Sequence, residues 1–208
     1  MSLTEHQDWV IDAAGWCRRA QRHASPNFDA RPASTDIDLL VVHNISLPPG
    51  QFGGPYIADL FGNCLDYDRH PYFDQLRALR VSAHFLIRRD GSLIQFVSAN
   101  ERAWHAGVSS FAGRERCNDF SIGIELEGSD FVPFDDRQYR TLADLTTALQ
   151  RRYPLRAVTG HEHIAPGRKT DPGPFFDWNA YRALVSPREK AGSDSPSLRF
   201  PPLDAGLF

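Results

Sequence analysis

The stretch GHEHIAPGRKTDPGP, residues 160–174, sets two histidines, a lysine and an aspartate among glycines and prolines. Imidazole nitrogen and carboxylate oxygen are the zinc ligands a protein uses when it offers no thiolate. Cys17, Cys64 and Cys117 are odd in number and in no C-x-x-C pattern, so any metal site must come from His and carboxylates. His161 and His163 share a face only if the chain is extended, and Pro166 and Gly167 soon interrupt any regular structure. The spacing alone leaves open which of them binds. Asp171 also fits an ordinary Asp-Pro-Gly turn, but its nearness to His161 favours a ligand role. One further histidine would complete a His2Asp site with a position left for water. Lys169 is either a solvated loop lysine or, beside a metal, a donor to the oxyanion formed when water attacks a carbonyl.

Two residues elsewhere could complete such a site. His43 closes the apolar run IDLLVVH (37–43) and would project into a cleft from a rigid strand end; the plainer reading is a histidine capping a buried strand. Glu125 sits within SIGIELE (121–127), where a carboxylate is costly unless it faces a cleft or a partner. Beside a metal it would serve as general base and proton shuttle. Glu127 lies on the same face, and the alternation alone does not choose between them. Asn44, Arg80 and Arg116 are candidate substrate clamps, arginine being suited to bidentate recognition of carboxylates. Trp104, next to His105, is either an aromatic platform or a core residue.

The elements that must position these residues are partly legible. Residues 5–20 suggest a short helix and 21–36 a polar connector. Residues 37–43 predict a buried strand, 44–56 an irregular loop rich in Pro and Gly, and 57–80 short helices and loops. VSAHFLIRRDGSLIQFVS (81–98) predicts a hairpin turning at Asp90-Gly91. In residues 121–127, Ile122, Ile124 and Leu126 alternate with Gly123, Glu125 and Glu127. Tyr139, Leu142, Leu145, Leu149 and Tyr153 lie at helical spacing behind a possible N-cap, Asp135. A short strand over 156–159 and a closing helix over 176–185 capped by Asp177 follow. Beyond Val185 the sequence is polar and aperiodic and reads as a mobile tail. Strands on either side of a long helix predict an α/β (α+β) fold: a central mixed sheet flanked by helices.

With 208 residues, 41% of them hydrophobic, the chain suits one domain. A formal net charge of -3 proposes neither a nucleic-acid nor a membrane partner. No apolar run approaches a membrane span, and the N-terminal residues lack a secretory pattern, so a cytoplasmic protein is expected.

Four blocks carry a resemblance: VVHNISLPPGQFGGPY, HPYFDQLRALRVSAHFLIRRDGSLIQFV, RAWHAGVSSFAGRERCNDFSIGIELEG and GHEHIAPGRKTDPGPFFDW. Over about residues 27–185 the chain closely resembles the AmpD-type 1,6-anhydro-N-acetylmuramyl-L-alanine amidases of bacterial cell-wall recycling. These belong to a wider group of zinc amidases and peptidoglycan recognition proteins, some of which bind without cleaving. The resemblance implies one zinc ion held by His43, His161 and Asp171. It also implies Glu125 rather than Glu127 as the group acting on water, Lys169 as the oxyanion donor, and Asn44, Arg80, Trp104 and Arg116 along a muropeptide cleft. His163 matches no ligand of the family.

The implied reaction is hydrolysis of the amide joining anhydromuramic acid to L-alanine, with influence on β-lactamase induction by family analogy. No protein partner is expected and a monomer is. The expected layout is a catalytic domain over 1–185 and a tail over 186–208. Two rivals are a binding module without catalysis and an amidase acting on intact peptidoglycan. Presence of every ligand position together with Glu125 and Lys169 speaks against the first, and the N-terminal sequence against the second.

Overall fold

Branched apolar residues drive the centre of the computed structural model, which describes residues 9–189 and 197–201. The strands of the main sheet are β1 (Gln21–Arg22), β2 (Leu39–Ile45), β3 (Phe85–Ile87), β4 (Leu93–Gln95), β5 (Ser121–Glu127) and β6 (Ala157–Gly160). Among the described residues they form one sheet in the order β1-β4-β3-β5-β2-β6. β3 and β4 are the antiparallel arms of the expected hairpin, and every other neighbouring pair is parallel. The sheet is therefore mixed, as predicted. Gly91 holds φ +82° in the hairpin turn, and an added Cβ would lie 3.0 Å from that of Arg137, so both backbone and space call for glycine.

The helices are α1 (Tyr56–Phe61), α2 (Asp136–Gln150), α3 (His161–Ile164) and α4 (Trp178–Glu189). Asp135 caps α2 by accepting from the Arg137 amide, while the Gln138 side chain accepts from the Asp135 amide, a reciprocal capping box. Asp177 accepts from the Ala180 amide at the start of α4. α2 and α4 cover one face of the sheet: Leu142, Leu145, Leu149, Tyr181 and Val185 pack with Leu40, Val42, Ile122, Ile124 and Leu126. The other face carries the alternate residues, and there His43 and Glu125 emerge.

Three expectations change. The helix over residues 5–20 is absent from the described part of that segment; residues 5–8 lie outside the described residues. Instead Ile11 and Cys17 form an antiparallel bridge around Gly15, at φ +80°. Side chains from the sheet capture the backbone groups a helix would have used: Gln95 accepts from the Cys17 amide and donates to the Gly15 carbonyl, and Ser98 donates to that of Ala14. Residues 21–36 are more than a connector, since they contain β1 and a two-residue ribbon, Phe28–Asp29, paired with Arg102–Ala103. Finally, the tail expected to be mobile after Val185 is partly structured. α4 runs on to Glu189, and Arg199 bridges to Ala157 on β6. Leu198 and Phe200 are buried there, Phe200 edge-on to Tyr181. The remaining tail residues, 190–196 and 202–208, lie outside the described residues.

Candidate metal and catalytic site

β2 and β5 run parallel in a register that pairs Val41 with Gly123, His43 with Glu125 and Ile45 with Glu127. Side chains paired across parallel strands leave the sheet on one face, so this register sets His43 beside Glu125. β6, on the other side of β2, ends at Gly160 and delivers His161 as the first residue of α3. Ten residues later the loop returns Asp171 to the same place; the Glu162 amide donates to the Asp171 carbonyl and ties that return. Asn44 holds it from the strand side, its amide nitrogen donating to the Pro172 carbonyl and to Asp130.

The outcome is a convergence of three ligand atoms. His43 Nδ1 lies 3.0 Å from His161 Nδ1 and 2.9 Å from Asp171 Oδ2, which is 3.0 Å from His161 Nδ1. Tetrahedral zinc, with ligands at about 2.0–2.1 Å, separates its ligand atoms by roughly 3.3 Å. His161 Nε2 is 3.0 Å from the Ala106 carbonyl, which can only accept, so Nε2 carries a proton and Nδ1 is the nitrogen turned toward the other ligand atoms. Burial holds His43 down to about pH 4, with His161 adding to the effect, so its ring is neutral. For Asp171, contacts with the His161 and His43 rings outweigh the upward push of burial and hold the carboxyl below its ordinary range. Two imidazole nitrogens and one carboxylate oxygen, packed this closely in one buried spot, suit a zinc ion.

Glu125 faces the same cleft, which has a volume of about 390 Å³ and is also lined by Lys169, Trp104 and Asn44. Burial, then the Asp171 charge, pushes the Glu125 carboxyl well above its ordinary range, while Lys169 pulls it down. Its Oε2 is buried and has no hydrogen-bond partner within the protein. Glu127 differs: its oxygens accept from the Gly53 amide at 2.6 Å and the Arg89 amide at 3.2 Å, and Arg88 stands 3.5 Å away. Geometry thus separates two glutamates that alternation could not.

His163 points elsewhere. Its Nδ1 accepts from the Gly160 amide at the start of α3, its ring lies tilted at 49° to that of Trp178, and it lines a different groove. Arg80 and Arg116 do not line the cleft. Arg80 donates to the Arg77 and Leu79 carbonyls at the rim, beside the lining residues Leu79 and Val81. Arg116, at φ +60°, pairs with Asp119 and opens on a neighbouring groove with Arg168. Sequence reasoning missed His105 as a partner of the site: its Nδ1 lies 3.0 Å from His43 Nε2. Gly123 was the available signal, because a glycine inside a strand marks close approach. An added Cβ there would lie 2.4 Å from the His105 ring.

A mixed sheet that brings two imidazoles, a carboxylate and an unpartnered buried glutamate into one cleft has the construction of a single-metal hydrolase. The model of the N-acetylmuramoyl-L-alanine amidase family matches residues 33–174, and the chain belongs to that family, to its AmpD type. It is 61% identical over 175 residues to the 1,6-anhydro-N-acetylmuramyl-L-alanine amidase AmpD of Citrobacter freundii, covering 83% of this chain and 94% of the relative. The crystal structure of an AmpD derivative superposes with a TM-score of 0.82 at 58% identity, over 85% of this chain and 99% of the other. The Escherichia coli amidase AmiD, in complex with its substrate anhydro-N-acetylmuramic acid-L-Ala-D-γ-Glu-L-Lys, gives a TM-score of 0.52 at 29% identity, over 85% and 65% of the two chains.

Proposed function

We propose that this chain hydrolyses the amide bond between 1,6-anhydro-N-acetylmuramic acid and L-alanine in recycled muropeptides, using one zinc ion held by His43, His161 and Asp171. The observation that carries the reading is the approach of those three ligand atoms to about 3.0 Å of one another, beside the unpartnered Oε2 of Glu125. When bound, the ion supplies Lewis acidity, making water easier to deprotonate and polarising the scissile carbonyl. Glu125, with a carboxyl raised by burial, takes the proton of the attacking water and passes it to the alanine nitrogen as the amide breaks. Lys169 offers its ammonium to the oxyanion of the tetrahedral intermediate.

Asn44 keeps its side-chain oxygen for the substrate, since its nitrogen is committed to Asp130 and Pro172. Trp104 lines the cleft, while Arg80 and Arg116, which lie outside that lining, are assigned to stem-peptide carboxylates beyond it. We place the enzyme in the cytoplasm as a monomer without a protein partner, acting on wall fragments, as the AmpD type implies.

The test is release of free peptide from a defined anhydromuramyl tripeptide, with and without a chelator. Turnover that chelation abolishes and zinc restores is expected. Binding of the sugar peptide without turnover would turn the reading to a sensing module, and equal rates on intact sacculi would turn it to a wall amidase.

A further inference from the structure

We propose that His105 is a positioning residue for His43: a hydrogen-bond chain from the Cys117 carbonyl through Ser121 and His105 fixes His43 in the tautomer whose bare Nδ1 faces His161 and Asp171. The inference rests on the zinc reading above and concerns residues behind the ligands rather than the ligands themselves.

Counting protons along the chain gives the direction. Ser121 Oγ lies 2.6 Å from the Cys117 carbonyl oxygen and 3.2 Å from His105 Nε2. A carbonyl cannot donate, and two oxygens this close need a proton between them, so the hydroxyl donates to Cys117. The hydroxyl then accepts from His105, which carries its proton on Nε2 and presents a lone pair at Nδ1. That lone pair faces His43 Nε2 at 3.0 Å. A second lone pair there would repel it, so His43 carries its proton on Nε2, and its Nδ1 is left bare among the ligand atoms.

The same short segment serves the other imidazole. Ala106, the next residue, accepts from His161 Nε2 through its carbonyl. The Asn118 side-chain oxygen holds both residues in place by accepting from the amides of His105 at 3.2 Å and Ala106 at 2.8 Å. One dipeptide therefore sets the tautomer of both histidine ligands. Gly123 supplies the room, since any Cβ at that position would displace the His105 ring.

The experiment combines long-range ¹⁵N–¹H correlation spectra of the metal-free protein with zinc affinity measured against a chromogenic chelator. Wild type is expected to show His43 protonated at Nε2. His105→Phe is expected to bind zinc on the order of 10–100-fold more weakly, the usual cost of removing a partner behind a metal ligand. His105→Asn, whose side-chain oxygen can stand near the lost Nδ1, is expected to recover part of that loss, which a simple packing role would not predict. If His105→Phe does not fold, Ser121→Ala carries the affinity test, with a smaller loss expected and a mixture of His105 tautomers. Wild-type His43 protonated at Nδ1, or zinc affinity unchanged in the folded variant, would overturn the proposal. Failure of wild type to bind zinc would instead sink the metal reading, while the spectra still decide the His43 tautomer.

Discussion

His43 and Glu125 are register partners on the adjacent parallel strands β2 and β5. One sheet register therefore sets a proposed metal ligand and a proposed proton shuttle side by side, without a loop between them. Rigid elements hold such a constellation better than loops do. Removing the Glu125 carboxylate should disturb chemistry and not metal binding: Glu125→Gln is expected to keep one zinc per chain and lose turnover on the order of 10²–10⁴-fold. Glu127→Ala should do the opposite, leaving the Gly53 and Arg89 amides unpaired at a cost of about 1–3 kcal/mol while turnover changes little. Metal analysis, kinetics and a denaturant melt on both variants separate the two roles, and a Glu127→Ala enzyme as dead as Glu125→Gln would refute the division.

His161 and His163 stand two residues apart on a single helical turn, where side chains so spaced do not share a face. His161→Ala is expected to abolish zinc binding. His163→Ala should retain zinc and lose about 0.5–2 kcal/mol of stability, because it removes the acceptor for the Gly160 amide. Equilibrium dialysis against zinc distinguishes them, and the reverse pattern would overturn the ligand assignment.

Acid should destabilise the protein partly through His84. Its Nδ1 accepts from the Gly123 amide and its Nε2 donates to the Glu101 carbonyl, each at 3.0 Å. Burial, then the Arg31 charge, lowers its pKa to about 3, against about 6.5 in an unfolded chain. Between those values the unfolded chain holds the extra proton, so stability is complete above about pH 6.5 and falls as pH drops toward 3. His84→Asn keeps an acceptor near the Gly123 amide but cannot take up that proton. Its stability should fall less steeply with acid, by up to about 1.4 kcal/mol per pH unit. Parallel urea titrations from pH 7 to 4 measure the difference; equal slopes would count against it.

Thiol chemistry should single out one cysteine. Cys64 is exposed, whereas Cys17 and Cys117 are buried. Burial raises both buried thiols, Cys117 to about 11, which keeps them protonated and unreactive near neutral pH. A maleimide at pH 7 is expected to label Cys64 alone in the native protein and all three thiols after denaturation. Mass spectrometry of the peptides reads the result, and native labelling of Cys117 would contradict this packing.

Much of the frame was legible because its periods are simple. The two-residue alternation of Ser121–Glu127 and the helical spacing from Tyr139 to Leu149 follow from burial of one face, a local property of sequence. The N-terminal segment was not legible, because Gln95 and Ser98, some eighty positions away, take its backbone groups. The loop 160–174 revealed ionisable types but not their directions. The turn of α3 that parts His161 from His163 is set by where β6 ends. His105 lies in a segment without periodicity, and Gly123 advertised a close approach without saying whose. Ranking Glu125 over Glu127 from residues alone needed the position of the Gly53 amide, more than seventy residues distant in sequence.

β6, which leads directly into His161, is the outermost strand on its side of the sheet. Residues near Arg199 run along its free margin: the Val158 amide donates to the Arg199 carbonyl at 2.8 Å, and the Arg199 amide to the Arg156 carbonyl at 3.0 Å. An uncovered strand margin is a template for recruiting another molecule's backbone. Residues 197–201 thus cover the margin of the strand that leads into His161. A chain cut after Glu189 would leave that margin bare, and concentration-dependent aggregation would be its signature in light scattering.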